Sequence, residues 1–450
     1  MKINYAAMKT ACVGALLSIP TLAYSDIQLT VDVSTATNTP EAAVAAGFDQ
    51  MCPKIQGIET SDSGLQQLQA VCSALNVSTV AQTEQAYRNM SARSNTSSNT
   101  LATYGPGAIP MPLIGKRLAT LRRAAENAQN ASLDIDINGQ PIPRSLVAEL
   151  FDQQTGGGAS ADQNNSRLSG FVSAMSFHSE QQETQTLAGF HSESASGVLG
   201  LDYRFSDKVF AGIAGRYASS NVDLHGNGGT LDADDINTTL YSTYYPGQDW
   251  YLEGTMHYGK GKFDLTRKID FTLPGLSVDE LASSSTKGHQ FGASLGGGTE
   301  WVFKDGAVSQ LTGGVYYTRS NIDAYTETGA NGLNLEINKQ SINSLQARFG
   351  AQLSKAASYS WGVVIPQFNF TWVNEFLRDG EKIQASFVSD PTNTQFAFTT
   401  DKKDPTYFIV SLGAVAVFPG GFTAYIQGER YLMVDNFSQR IWSVGARMEF

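Results

Sequence analysis

The constraint that dominates this sequence is a two-residue alternation with nothing to cover it. In residues 438–450, Trp442, Val444, Ala446, Met448 and Phe450 fall on one face of a strand, and Ser443, Gly445, Arg447 and Glu449 on the other. That is the period of a strand with one apolar and one wet side. Residues 366–375 repeat it, with Pro366, Phe368, Phe370 and Trp372 opposing Gln367, Asn369, Thr371 and Glu375. From Arg167 onward such segments follow one another with almost no helical pattern between them. A soluble protein would bury these apolar faces under a second layer. No such cover is obvious here, and lipid is the economical one.

The turns fall into two classes. Short ones are marked by aromatics: Phe205 and Phe210, Tyr244 and Trp250, and Phe418 and Phe422 flank three of them, Trp301 and Phe303 precede another, and Tyr359 and Trp361 sit at one more. Aromatics gathered at one class of short turn form the interface girdle of a membrane barrel. The alternate connections, near residues 180–187, 225–231, 269–286, 326–336 and 377–404, are longer and read as polar, so they are expected to face outside the cell. Counting between turns predicts a transmembrane antiparallel β-barrel of about 12 strands over residues 167–450. Its even strand number returns both ends of the barrel to the same side. A mean hydropathy of −0.20 is compatible with this, because lumen-facing polar residues cancel lipid-facing apolar ones in any window. Gln367, Asn369, Glu375, Gln427, Glu429 and Arg447 are expected to line the lumen.

Upstream the text is different. Lys2 and Lys9, an apolar run over residues 11–19 and the small-residue segment Ala23-Tyr24-Ser25 read as a secretory signal cut between Ser25 and Asp26. The apolar run is too short for a spanning helix. Residues 26–93 carry helical periodicity: Thr39 caps a helix with Pro40 in its first turn and Phe48 and Met51 as anchors. Leu65, Leu68, Cys72 and Leu75 mark a second helix, and Val80, Tyr87 and Met90 a third. Cys52 and Cys72 are an even pair in an exported, oxidising compartment and are expected to form a disulfide. Residues 94–112 have linker composition, and residues 113–166 are expected to open with a basic helix and to continue as the linker to the first strand. The basic face (Lys116, Arg117, Arg122, Arg123) reads as a solvated face or as a contact to anionic headgroups or to an acidic lumen.

Candidate chemistry is sparse. Asp134, Asp136, Asn138 and Gly139 open like a calcium loop, but Ser145 stands where the bidentate Glu belongs, and Asn138-Gly139 reads better as a hairpin turn. Ser61-Asp62-Ser63-Gly64-Leu65 resembles hydrolase motifs, yet no histidine occurs between Asp26 and His178. The five histidines lack zinc-site spacing, and Gly296-Gly297-Gly298 sits in a strand pattern, where it cannot cradle phosphate. Neither an enzyme nor a cofactor or metal site is expected, and a net charge of −11 argues against nucleic acid. Asn164-Asn165, just before the first strand, is read as a polar turn in preference to a self-cleavage site.

Residues 167–450 closely resemble the autotransporter β-domain family of type V secretion. The residues that carry the likeness are Gly197 to Tyr203 (GVLGLDY), Tyr258-Gly259, Tyr325 with Glu327, Pro366, Asn374-Glu375, Gly413, Tyr425 and the terminal Phe450. The resemblance implies an outer-membrane barrel of a Gram-negative bacterium, surrounded by outer-membrane lipids and lipopolysaccharide. It implies passage through the Sec translocon and insertion by the barrel assembly machinery, with a linker threading the pore toward an extracellular N-terminal passenger. Trp442, Met448 and Phe450 are then expected to form the barrel assembly signal. The short helical segment departs from the long β-helical passengers of the family. Two readings follow: a non-enzymatic barrel that anchors and displays this segment, or a pore-forming or structural barrel with a periplasmic N-terminal domain.

Overall fold

A computed structural model describes residues 36–37, 39–97, 100, 136–137, 140–141 and 167–449, apart from positions 207, 247–249, 304–305 and 420–421. Three helices lead the chain: α1 (Pro40–Ile55), α2 (Ser63–Leu75) and α3 (Val80–Met90). Each begins where a side-chain oxygen caps the first turn. Thr39 accepts from the amide of Ala42, Asp62 from that of Leu65, and Thr79 forms a reciprocal capping box with Gln82. Residues 94–97, which composition assigns to a linker, are ordered instead. Ala92–Thr96 forms a 3-10 turn, and Asn95, Thr96 and Ser97 are buried.

Twelve strands then close on themselves: β1 (Leu168–Gln181), β2 (Phe190–Ser206), β3 (Val209–Leu224), β4 (Thr230–Tyr244), β5 (Trp250–Leu273), β6 (Leu276–Val302), β7 (Ala307–Ile322), β8 (Gln340–Lys355), β9 (Gly362–Glu375), β10 (Thr406–Val417), β11 (Phe422–Leu432) and β12 (Phe437–Glu449). Every neighbour is antiparallel, and β12 pairs with β1 from Phe437↔Gln181 to Glu449↔Ser169, which leaves the sheet no edge. Leu168 and Glu449 therefore lie at the same end, together with the short turns.

The outside of this cylinder is apolar. Leu199, Leu240, Leu295, Phe368, Leu412, Ile426 and Trp442 are exposed, while the inner face buries Arg216, Asn237, Glu253, Gln310, Gln352 and Ser411. The arrangement inverts that of a soluble protein and suits hydrocarbon outside and water inside. At the short-turn end the aromatics touch one another. Tyr359 stacks on Trp361 at 5.6 Å, Trp361 meets Phe418 at 5.5 Å, and Phe418 meets Phe422 at 5.5 Å.

The long connections depart from expectation. Residues 269–286 are not a polar loop: β5 and β6 run on as one hairpin to a tip at Pro274-Gly275, where Gly275 takes φ +77°. Ile269, Phe271, Leu273, Val278 and Ala282 on that hairpin are buried. The connections after β7 and β9 likewise carry strands. Leu335–Ile337, Lys382–Phe387 and Gln395–Thr399 join Tyr325–Thr326 in a second, small sheet. Ala36–Thr37, from before α1, adds to its edge in parallel to Ala397 and Phe398.

Candidate functional site

The helices do not own their core. Phe48, Met51, Ile55, Leu68, Val71 and Met90 are buried in one cluster with Phe271 and Leu273 of the long hairpin, Leu333, Leu335 and Ile337 after β7, and Phe387, Phe396 and Phe398 after β9. Phe48 meets the edge of Phe387 at 5.2 Å. This shared core explains why the outer connections carry apolar alternation: their partner is the helical layer, more than 180 residues earlier in the chain. The disulfide Cys52–Cys72 ties α1 to α2 within the cluster, with Cα atoms 5.6 Å apart. Val80, placed on α3 by its periodicity, occupies the first helical position and is exposed.

Polar clamps fix this cap to the barrel. Arg267 on β5 and Glu327 after β7 are both buried and joined twice, at 3.0 and 2.5 Å. Arg267 also donates to the carbonyls of Asn89 on α3 and Leu333, while Glu327 accepts from the amide of Leu335. Beside them Asn95 donates to the Tyr325 hydroxyl at 2.9 Å, and burial pushes the Tyr325 phenol well above its ordinary range. Arg93 reaches Glu183 at 2.8 Å, Glu41 at 3.3 Å and the carbonyl of Leu187, so the β1–β2 connection is drawn in as well. Gln67 on α2 donates to Glu280 of the long hairpin and accepts from the amide of Gly332.

Below the cap lies the polar lumen. Glu375, at the cap end of β9, accepts from Ser344, the amides of Leu345 and Leu377, and Gln346. Gln346 in turn accepts from Arg348, whose guanidinium lies 4.8 Å from the Tyr316 ring. At the opposite end, Arg447 of the last strand donates to Ser169 of the first at 2.6 Å and pairs with Asp202 of the second at 3.5 Å, and Ser169 donates to Asp202. Asp202 is the acidic residue of the GVLGLDY stretch, and it sits where the sheet closes.

The residues named from sequence fall as follows. Glu375, Glu429 and Arg447 are buried on the inner face, and Gln367, Asn369 and Gln427 are half-buried on it. Trp442 and Met448 are exposed on the outer face. Ser25, Asp26, Phe450, the basic face within 113–130, Ser145 and Asn164-Asn165 lie outside the described residues, as do Asn138 and Gly139; Asp136–Ile137 pairs with Gln140–Pro141 as a hairpin. Sequence reasoning missed Arg267, Arg93, Asn95 and Gln67. Each reads as an ordinary polar residue until the cap brings its partner close. Tyr325 and Glu327 were legible only through the family likeness.

A closed antiparallel barrel that is apolar outside, polar inside and girdled by aromatics at one end is an outer-membrane β-barrel. Residues 170–429 match the autotransporter beta-domain, and the chain belongs to that family. Outer membrane protein A of Rickettsia conorii is 21% identical over 261 residues, covering 56% of this chain and 13% of that protein. Outer membrane protein B of Rickettsia typhi is 22% identical over 279 residues, covering 61% and 17%. The chain thus spans less than a fifth of the length of these relatives. Among solved structures, the translocator domain of autotransporter NalP from Neisseria meningitidis is 16% identical, with a TM-score of 0.49, covering 64% of this chain and 90% of that one. The beta domain of the Bordetella autotransporter Brka is 15% identical, with a TM-score of 0.45, covering 63% and 100%. The protein is accordingly one of the outer membrane, with a lipid environment and barrel-type biogenesis.

Proposed function

We propose that this autotransporter-type barrel anchors its own N-terminal helical segment at the cell surface, where the segment serves as a non-enzymatic cap. One observation carries the reading: the helices share their hydrophobic core with the long connections, at the end of the barrel opposite Leu168 and Glu449. In outer-membrane barrels short turns face the periplasm and long connections face outward. The chain therefore has to travel from the cap, near Thr100, back to the first strand. Backbone cannot cross hydrocarbon with its amides unsatisfied, which leaves the polar lumen as the route. Residues 101–166 are ample for it, since a ~25 Å apolar band needs about 17 helical or about 8 extended residues. The inner face around such a segment is polar, with Gln367, Asn369 and Gln427 half-buried on it. Sec passage and assembly-machine insertion, with Trp442, Met448 and Phe450 as the recognised end, complete the proposed biogenesis.

The test is an epitope inserted after Gly57, an exposed position with open space around it. Labelling and protease cleavage on intact cells are expected. Protection until the outer membrane is permeabilised would overturn display in favour of a periplasmic domain on a plain barrel.

A further inference from the structure

We propose that Arg430 and Arg440 form a lipid-facing site for the phosphate of an anionic glycolipid in the outer leaflet. The two stand directly opposite each other on β11 and β12, and both are exposed on the outer face. Like charges facing across a ladder destabilise it unless something negative lies between them. Among the described residues neither guanidinium has an ion-pair or hydrogen-bond partner. Glu180 and Glu193 stand exposed on the neighbouring strands β1 and β2. Glu180 lies on β1 opposite Ser438, and Glu193, on β2, faces His178 at 4.0 Å and His191 at 3.6 Å.

The surroundings are those of lipid. Leu432 follows Arg430 on the same face and is 39% exposed, Met433 beyond it is 76% exposed, and Trp442, next to Arg440 on that face, is 57% exposed. Val410 stands beside Arg430 on β10, and Phe408 beside Leu432. Height decides which leaflet is meant. Arg430 is eight residues beyond Phe422 of the girdle, and at about 3.3 Å per residue with a tilt of about 40° it stands roughly 20 Å above it. An apolar band of ~25 Å puts that level at the outer headgroup boundary. Two guanidinium forks with Cβ atoms about 5 Å apart can bracket one phosphate bidentately, and the apolar neighbours take the acyl chains. A soluble anion would gain nothing from Trp442, Leu432 or Met433, so the occupant is a membrane lipid.

The experiment uses the full chain in phosphatidylcholine vesicles with or without bisphosphorylated lipid A, with dephosphorylated lipid A and inorganic phosphate as comparators. Wild type is expected to retain lipid A in native mass spectrometry and to gain thermal midpoint with it, and with neither comparator. R430Q/R440Q is expected to bind it at least about tenfold more weakly, having lost two charge-assisted contacts, while its midpoint in plain phosphatidylcholine stays equal or rises. R430K/R440K, which keeps charge and loses the fork, falls between. On wild type itself, lipid A should shield Arg430 and Arg440 from a guanidinium-modifying reagent, which tests the site without any variant. Equal lipid A binding by R430Q/R440Q, an equal effect of inorganic phosphate or dephosphorylated lipid A, or unchanged labelling of both arginines would each overturn the site.

Discussion

Replacing Glu327 by alanine tests whether the cap is held to the barrel by the clamp at its centre. Both members of the Arg267–Glu327 pair have side chains under 5% exposed. Removing the carboxylate strands a guanidinium among Leu333, Leu335 and Tyr325, with only the carbonyls of Asn89 and Leu333 left to receive it. Breaking a buried pair in this way costs about 3–5 kcal/mol. At about 1.4 kcal/mol per tenfold, cap opening should become roughly a hundredfold to a few thousandfold more frequent. Amide hydrogen exchange on the full chain in detergent reads it directly: α3 should lose protection by that factor while β8 and β9 keep theirs. The double change R267M/E327M removes both charges and keeps the volume, and it should cost less than either single loss. If Glu327→Ala leaves α3 exchange within about threefold of wild type, the clamp is not what holds the cap, and the shared core alone must do so.

Cutting the disulfide with C52S/C72S should loosen the cap by on the order of 3 kcal/mol, as for a loop of about 20 residues, seen as faster proteolysis of α1 and α2 at unchanged barrel heat-modifiability. Arg447→Ala should lower the temperature at which the barrel loses its compact gel mobility, because Asp202 is left buried at the closure seam; an unchanged transition would show that the seam pair is dispensable. Burial raises the Glu381 carboxyl although Lys403 lies 3.4 Å away and pulls it down. Its favourable, protonated contribution is therefore full below the unfolded carboxylate range and is lost as pH rises through the raised folded value. Exchange protection of Gln395–Thr399 should fall over that rise, and Glu381→Gln should flatten the profile. Deleting Phe450 should deplete the outer membrane of protein; unchanged amounts of heat-modifiable barrel there would remove the last strand's role in assembly.

The barrel was legible because each of its strands meets lipid on one side and water on the other, so the partition is written residue by residue, as in Trp442, Ser443 and Val444. The cap was not. Phe271 and Leu273 belong to a hairpin whose apolar side faces helices more than 180 residues earlier in the chain, and no local period announces a partner so far away. Separation along the chain also hid Arg267, whose carboxylate stands 60 residues further along. Asn95 and Thr96 read as linker for a related reason: small polar residues score as linker by composition, yet these two are buried where Tyr325 and the β1–β2 connection supply partners. Thr39 and Asp62 were the opposite case, since a helix cap is satisfied within three residues.

That division of the core bears on how a helical segment could pass a barrel of this size. A segment of about 50 residues buries too little surface to be stable by itself, and here the missing half of its core, from Ile269 to Phe398, exists only once the outer connections are in place. On the display reading, Phe48, Leu68 and Met90 have no partner on the periplasmic side, so the segment stays loose enough to thread and acquires its core where it emerges. Disrupting the receiving surface should then leave export intact and abolish compaction. With F271S/F396S, an epitope after Gly57 should still be labelled on intact cells, while α1 to α3 become freely proteolysed there. Were the epitope instead lost from the surface, docking would have to drive passage itself, and the order of events argued from the shared core would be wrong.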